Sequence, residues 1–175
     1  MKSFSMTYAA SLFSLAEEEN LEEKIYGELC SLSDVFKENP DYSGLLDSPT
    51  IPLSQRIALV DETFAQTEEY VLNFIKILCE KKSVHLFPEC VKAYEKLYNH
   101  KLGIEKVTAI TAVPLNDSLK EKLISKLEKE YGKKIKLENK IDKSILGGII
   151  LRTDNSQTDA SLRTRLDQVK AQISL

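Results

Sequence analysis

In residues 1–103 apolar positions recur every three or four places, the repeat of an α-helix with one buried face. Tyr8, Leu12, Leu15 and Ala16 form such a face on a first helix, which Ser5 or Thr7 can cap and which runs to about residue 19. Ala9 and Phe13 widen its apolar surface beyond one stripe. Asn20 is placed to cap a second helix carrying Leu21, Ile25, Leu29 and Leu32, extended by Val35 and Phe36. Pro40 and Gly44 end it. Leu45 and Leu46 allow a short helical turn, and Pro52 suits the first position of the next helix, whose stripe is Leu53, Ile57, Val60 and Phe64. Thr67 can cap a further helix with Tyr70, Val71, Phe74, Ile75 and Leu78 on its apolar side, broadened by Ile77. A last one spans about residues 86–102, with Pro88 in its first turn and Gly103 as its stop. These positions predict a bundle of about six short helices.

Beyond Gly103 the repeat changes. Residues 105–113 mix Val107, Ala109 and Ile110 with threonines, which favours a strand, and Pro114 ends it. Asn116 or Asp117 can cap a helix carrying Leu119, Leu123, Ile124 and Leu127, stopped by Gly132. Residues 134–137 alternate polar and apolar, as a half-exposed strand does. Residues 145–151 make a β-branched apolar run too short to span a membrane. Gly147 and Gly148 lie inside that expected strand and mark a bulge or a close backbone approach. Asp154, Asn155 and Ser156 supply a turn, and a short return segment follows. Asp159 or Ser161 can then cap a final helix whose apolar side is Leu162, Leu166, Val169 and Ile173. The expected fold is α+β, mostly α: an N-terminal bundle of about six helices, residues 1–103, followed by a small α/β C-terminal domain, residues 104–175.

Charge sharpens that division. The net charge of −3 conceals an acidic part, with 9 Lys/Arg against 17 Asp/Glu in residues 1–100, and a basic part, with 15 against 10 in residues 101–175. Opposite balances suggest two units with different partners. The 175 residues, 42% of them hydrophobic, suffice for a real core. There is no apolar run of membrane-spanning length, and the first residues lack the apolar core of a signal peptide. The odd count of three cysteines, Cys30, Cys79 and Cys90, shows no disulfide framework, which suits a reducing, cytosol-like compartment.

The residues that could carry chemistry are few. Cys79, His85, Cys90 and His100 lack the close pairs of a structural zinc site, and the cysteines fit as small apolar residues on packed helices. The Gly147-Gly148 pair is not a phosphate loop, because it lies within a strand and no Gly-Lys-Ser/Thr follows. No nucleophile elbow is present, and the carboxylates are scattered. Lys120, Lys122, Lys126, Lys129, Lys133, Lys134 and Lys136 form a basic cluster, but Glu121, Glu128 and Glu130 interrupt it and few aromatics accompany it. A solvated helix face accounts for this cluster better than a nucleic-acid site does, and a small nucleic-acid-binding helical protein stands as the alternative reading. No catalytic residue, cofactor or metal is expected.

Three stretches carry a family resemblance. Tyr8-Ala9-Ala10-Ser11-Leu12-Phe13 opens the chain, Asn73-Phe74-Ile75-Lys76-Ile77-Leu78 lies on the expected fifth helix, and Thr111-Ala112-Val113-Pro114-Leu115 joins strand to helix. With the order Leu146-Gly147-Gly148-Ile149-Ile150-Leu151-Arg152 and then Asp159-Ala160-Ser161-Leu162-Arg163-Thr164-Arg165-Leu166, the chain resembles the delta subunit of rotary ATP synthases. The mitochondrial counterpart is the oligomycin-sensitivity-conferring protein. The resemblance implies a non-catalytic stator subunit on the cytoplasmic face of a bacterial plasma membrane, or the matrix or stroma side in an organelle. Its helical domain would bind the N-terminal helices of the alpha subunits. Its C-terminal domain would hold the b subunits of the peripheral stalk, with membrane association only indirect. Tyr8, Ala9, Leu12, Phe13, Phe74, Ile77 and Leu78 are the expected lining of the head-binding groove, and Gly147 and Gly148 the expected stalk contact. Apolar surface beyond one core stripe on the first and fifth helices suits a groove for an amphipathic helix.

Overall fold

The computed structural model describes residues 2–153, 156–164 and 166. The chain divides into two compact units, residues 1–98 and 99–175. The first holds α1 (Lys2–Glu19), α2 (Glu22–Glu38), α3 (Pro40–Asp47), α4 (Leu53–Thr63), α5 (Glu69–Glu80) and most of α6 (Phe87–Lys101), with a 3-10 turn at Val84–Leu86. The second holds β1 (Ile104–Thr111), α7 (Asp117–Tyr131), β2 (Lys134–Ile141), a 3-10 turn at Lys143–Ile145, β3 (Gly148–Arg152) and β4 (Gln157–Ser161). The fold is thus α+β, mostly α.

The helical unit closes over one core that takes a face from each helix. Ala9, Leu12 and Ala16 of α1 meet Ile25 and Leu29 of α2, Leu46 of α3, Val60 of α4, Val71, Ile75 and Leu78 of α5, and Phe87 and Tyr94 of α6. Several expected helix starts differ: α3 already begins at Pro40, and Pro52 holds the cap position of α4 rather than its first helical position. Ser5 lies inside α1 rather than at its cap, buried, with its hydroxyl donating to Glu89 at 3.4 Å. Asn20 adopts a left-handed conformation (φ 57°) that ends α1, and Leu21 takes the cap position of α2. Thr67 does not cap α5; the Glu28 carboxylate accepts from the Glu68 N–H at 2.8 Å instead. A carboxylate delivered from α2 satisfies the same orphan donors that a local hydroxyl would.

One buried residue breaks the apolar pattern. Arg56 of α4 lies in the core, and its guanidinium donates to the carbonyls of Leu46 at 2.7 Å and Cys79 at 2.8 Å and, through Nε, to that of Ile51 at 3.2 Å. Leu46 and Cys79 belong to the last turns of α3 and α5, where unpaired carbonyls give a helix end partial negative charge. Arg56 therefore ties two helix ends to a third helix. Asp47 does the complementary work at the next turn, accepting from the N–H groups of Val84 and His85 at 2.8 and 3.0 Å.

The second unit is a four-stranded sheet in the order β2-β1-β3-β4, with β1 and β2 parallel and the other pairs antiparallel. A parallel pair needs a crossover, and α7 supplies it. It starts at Asn116, whose side chain accepts from the Leu119 N–H at 2.8 Å, and stops at Gly132 with φ 64°. It packs against β2, so Val107, Ala109 and Thr111 of β1 and Leu127 of α7 are buried. The expected strand over 145–151 is shorter. Ile145 belongs to the 3-10 turn, Leu146 is left-handed at φ 63°, and β3 begins at Gly148. The glycine pair therefore opens the strand and makes no bulge within it. Ser161 caps a helical turn that starts at Leu162, accepting from the Thr164 N–H at 3.2 Å. Asp154 and Asn155 of the expected turn, and Val169 and Ile173 of the expected final helix, lie outside the described residues.

Candidate functional site

The groove residues expected on α1 and α5 are not all on the surface. Ala9, Leu12, Phe13, Phe74 and Leu78 are buried in the bundle core. The extra apolar width of α1 and α5 is absorbed by α6: Phe13 meets Tyr94 edge-on at 5.3 Å, and Phe74 packs on Phe87 at 6.2 Å. Ala9 is thus no surface position, and a carboxylate there would be an unpaired buried charge that disrupts the fold. Tyr8 is half-buried, and Ile77 is 42% exposed.

What does reach solvent forms two converging lines. On α1, Phe4, Tyr8, Leu15 and Glu19 share one flank at helical spacing, and Leu15, expected in the core, is 44% exposed. Phe4 and Tyr8 pack with their rings tilted by 34° and centroids 4.2 Å apart. On α5, Tyr70 and Ile77 lie two turns apart on one flank. The lines meet where the Glu19 carboxylate lies against the Tyr70 hydroxyl and raises its pKa. The apolar members of this surface are Tyr8, Leu15, Tyr70 and Ile77, backed by the buried set beneath. A helical repeat alone could not separate Leu15 from Leu12, because both sit at core-compatible spacings.

The residues with chemical potential elsewhere in this unit have structural duties. Burial pushes the Cys90 thiol up to about 11 and also raises that of Cys79, whose Sγ donates to the Leu46 carbonyl at 3.5 Å. His85 is exposed and pairs with Asp47 at 2.6 Å. No three His, Cys, Asp or Glu side chains gather as a metal site among the described residues. In an open groove beside α2, bordered by Lys24, Gly27, Glu28 and Thr67, two of the charged groups are already engaged. Lys24 pairs with Glu68, and Glu28 caps α5.

In the sheet unit, Gly148 has φ 80°, and a Cβ there would fall 2.4 Å from the Ala160 carbonyl oxygen. What approaches Gly148 closely is therefore the backbone of β4. A Cβ on Gly147 would meet Leu162 at 2.9 Å, so this glycine makes room for the first residue of the last helical turn. The Asp142 and Asp159 carboxylates are both held below their usual range, Asp142 by hydrogen bonds from Ser144 and Asp159 by hydrogen bonds from Ser161 and Thr164. The basic cluster read from sequence is split in space. Lys122, Lys126 and Lys129 lie on α7, whereas Lys134 and Lys136 alternate away from the β2 positions that α7 covers. Lys120 pairs with Asp117 and Lys133 with Glu105.

Comparison with known proteins covers both units. Residues 5–173 match the family described as ATP synthase delta (OSCP) subunit. ATP synthase subunit delta of Clostridioides difficile (strain 630) is 34% identical over 169 residues, spanning 95% of this chain and 93% of that protein. Its counterpart in Lactobacillus gasseri is 32% identical over 167 residues, spanning 95% and 92%. Among solved structures, a chain of the Toxoplasma gondii mitochondrial ATP synthase hexamer matches with a TM-score of 0.76 at 22% identity, over 98% of this chain and 97% of that one. The last likeness is one of fold.

Proposed function

Because this chain belongs to the ATP synthase delta (OSCP) subunit family, we propose that it serves as the non-catalytic stator subunit of a rotary ATP synthase. The observation that carries this reading is a match running through both units at 34% identity. In this role the helical unit holds the N-terminal helices of the alpha subunits on the catalytic head. The sheet unit holds the b subunits of the peripheral stalk. The chain then resists rotor torque, so that rotation is coupled to ATP chemistry on other subunits. Among the described residues no helix is long and apolar enough to cross a membrane. The attachment is therefore peripheral, on the side of the membrane that carries the head: the cytoplasmic face in a bacterium.

The Tyr8–Leu15 and Tyr70–Ile77 lines support the head contact. An amphipathic helix needs an apolar strip about one helix wide with adaptable edges, and these two flanks supply it. The buried residues beneath hold the flanks in place without touching the partner. Titration calorimetry with a peptide of the alpha-subunit N-terminus tests this. Leu15→Glu and Ile77→Glu should each weaken binding by at least about tenfold with unchanged helical circular dichroism, as loss of a central apolar anchor does. Equal affinity for both variants would move the head contact elsewhere.

A further inference from the structure

Charged side chains from two other helices hold α5 at both of its ends. The side chains of α5 cap neither end themselves. Glu68, at the cap position, makes no side-chain cap bond, and its carboxylate pairs with Lys24 of α2. The last turn of α5 contains no basic residue. Glu28 of α2 fills the first gap, accepting from the Glu68 N–H at 2.8 Å. Arg56 of α4 fills the second, donating to the Cys79 carbonyl at 2.8 Å. A carboxylate at the N-terminus and a cation at the C-terminus each carry the sign opposite to that helix end. These two pins bracket the solvent-facing line of α5: Glu68 stands two residues before Tyr70, and Cys79 two residues after Ile77. Between them Lys76 pairs with Asp61 of α4 at 2.6 Å. The inner face of α5, with Val71, Ile75 and Leu78, is fully buried. Burial is non-directional and by itself tolerates a small slide along the helix axis, whereas a hydrogen bond of ordinary length does not.

We infer that Glu28 and Arg56 are positioning residues for the head contact: by fixing α5 along its own axis, they set Tyr70 and Ile77 against Tyr8 and Leu15 of α1. Arg56 is buried in the core, and Glu28 belongs to α2, outside both flanks. Their effect on binding therefore passes through α5. A surface already held in its binding geometry has less ordering to do when the partner helix arrives, so affinity falls when either pin is released. The inference rests on the reading that the flanks of α1 and α5 receive an alpha-subunit helix, and it adds which residues hold that surface in shape.

The test is titration calorimetry of the full chain with a peptide of the alpha-subunit N-terminus from the same organism, well below the Tm of every variant, with folding checked by circular dichroism. Glu28→Ala should weaken binding by about fivefold. Arg56→Lys, which keeps the charge but not the planar fork, should weaken it by about threefold. Glu28→Gln keeps an acceptor for the Glu68 N–H and should stay within about twofold. So should Phe36→Leu, a core variant that packs on Tyr42 and Phe64 and lowers Tm without releasing either pin. If Glu28→Ala disturbs folding, Glu28→Asp, one methylene too short to reach, carries the test with a loss of about threefold. Wild-type affinity in the folded Glu28 or Arg56 variants would overturn the inference and leave the head reading intact. An equal loss in Phe36→Leu would do the same, because stability alone would then account for the effect. No binding by wild type would overturn the head reading itself.

Discussion

Replacing Arg56 by leucine should cripple the helical unit although the position is buried and leucine is apolar. The guanidinium is 4% exposed and supplies the hydrogen bonds to the carbonyls of Leu46, Ile51 and Cys79. Replacing a buried ion pair by apolar residues can be neutral when both partners go, but here the three carbonyls remain. Leu46 keeps the Cys79 thiol and Cys79 keeps the Lys82 N–H, so the cost is chiefly that of losing hydrogen bonds from a charged donor, about 1.5–3 kcal/mol each, and Arg56→Leu should cost about 3–5 kcal/mol. A folded domain has only about 5–15 kcal/mol in total, and for a unit of this size the loss lowers Tm by about 15–30 °C. Arg56→Lys keeps the charge but not the planar fork, and should cost about half as much. The chain has no tryptophan, so urea unfolding is best followed by helical circular dichroism. A loss below about 1 kcal/mol for Arg56→Leu would show that the carbonyls find other partners and that Arg56 does not tie α3 and α5 together.

Other substitutions read separate parts of the structure. Gly148→Ala should destabilise the sheet unit by about 2–4 kcal/mol, because it meets the β4 backbone at a positive φ; amide exchange in β3 and β4 would report it, and unchanged protection would contradict it. Gly27→Ala should stabilise the helical unit by about 0.5–1 kcal/mol, since it lies inside α2 with open space where the new methyl would go; a lower urea midpoint would contradict this. Cys90 should resist a thiol reagent at pH 8 until the chain unfolds, with the half-buried Cys30 modified first. Because burial raises the Cys90 pKa, its contribution is complete below its unfolded value of about 8.5 and is lost as pH rises towards about 11, so Cys90→Ala should flatten the alkaline fall in stability.

The helices and their order were legible because their apolar repeats are long and Pro40, Gly103 and Gly132 punctuate them. The cap at Asn116 and the stop at Gly132 follow from local chemistry alone, and the structure shows both. What sequence periodicity could not supply was the third dimension. Arg56 sits at a core position of α4 next to Ile57, yet a repeat cannot foresee that two distant helix ends will present carbonyls to it. For the same reason Glu28 capping α5 from α2 was invisible. The residues expected to line the head-binding groove on α1 and α5 lie largely on the inner faces of those helices. Ala9 and Phe13 widen the stripe of α1, and only the position of α6 decides that Phe13 is covered while Leu15 is not. Gly147 and Gly148 were recognisable as a close backbone approach, but the approaching element, β4, lies beyond a turn whose pairing no local signal specifies. Nor does a lysine-rich run reveal that alternation along β2 sends Lys134, Lys136 and Lys140 to one side of the sheet while the α7 lysines lie elsewhere.

Coupling in membranes deprived of this chain tests the stator role most directly. Membranes of the same organism lacking the subunit, given purified catalytic head with or without the full-length chain, are assayed for ATP-driven proton uptake and for head retention. Weak head retention and little ATP-driven uptake are expected without the chain, both restored by wild type. Leu15→Glu/Ile77→Glu should fail to restore head retention. Full ATP-driven uptake with the head firmly bound in the absence of this chain would contradict the account.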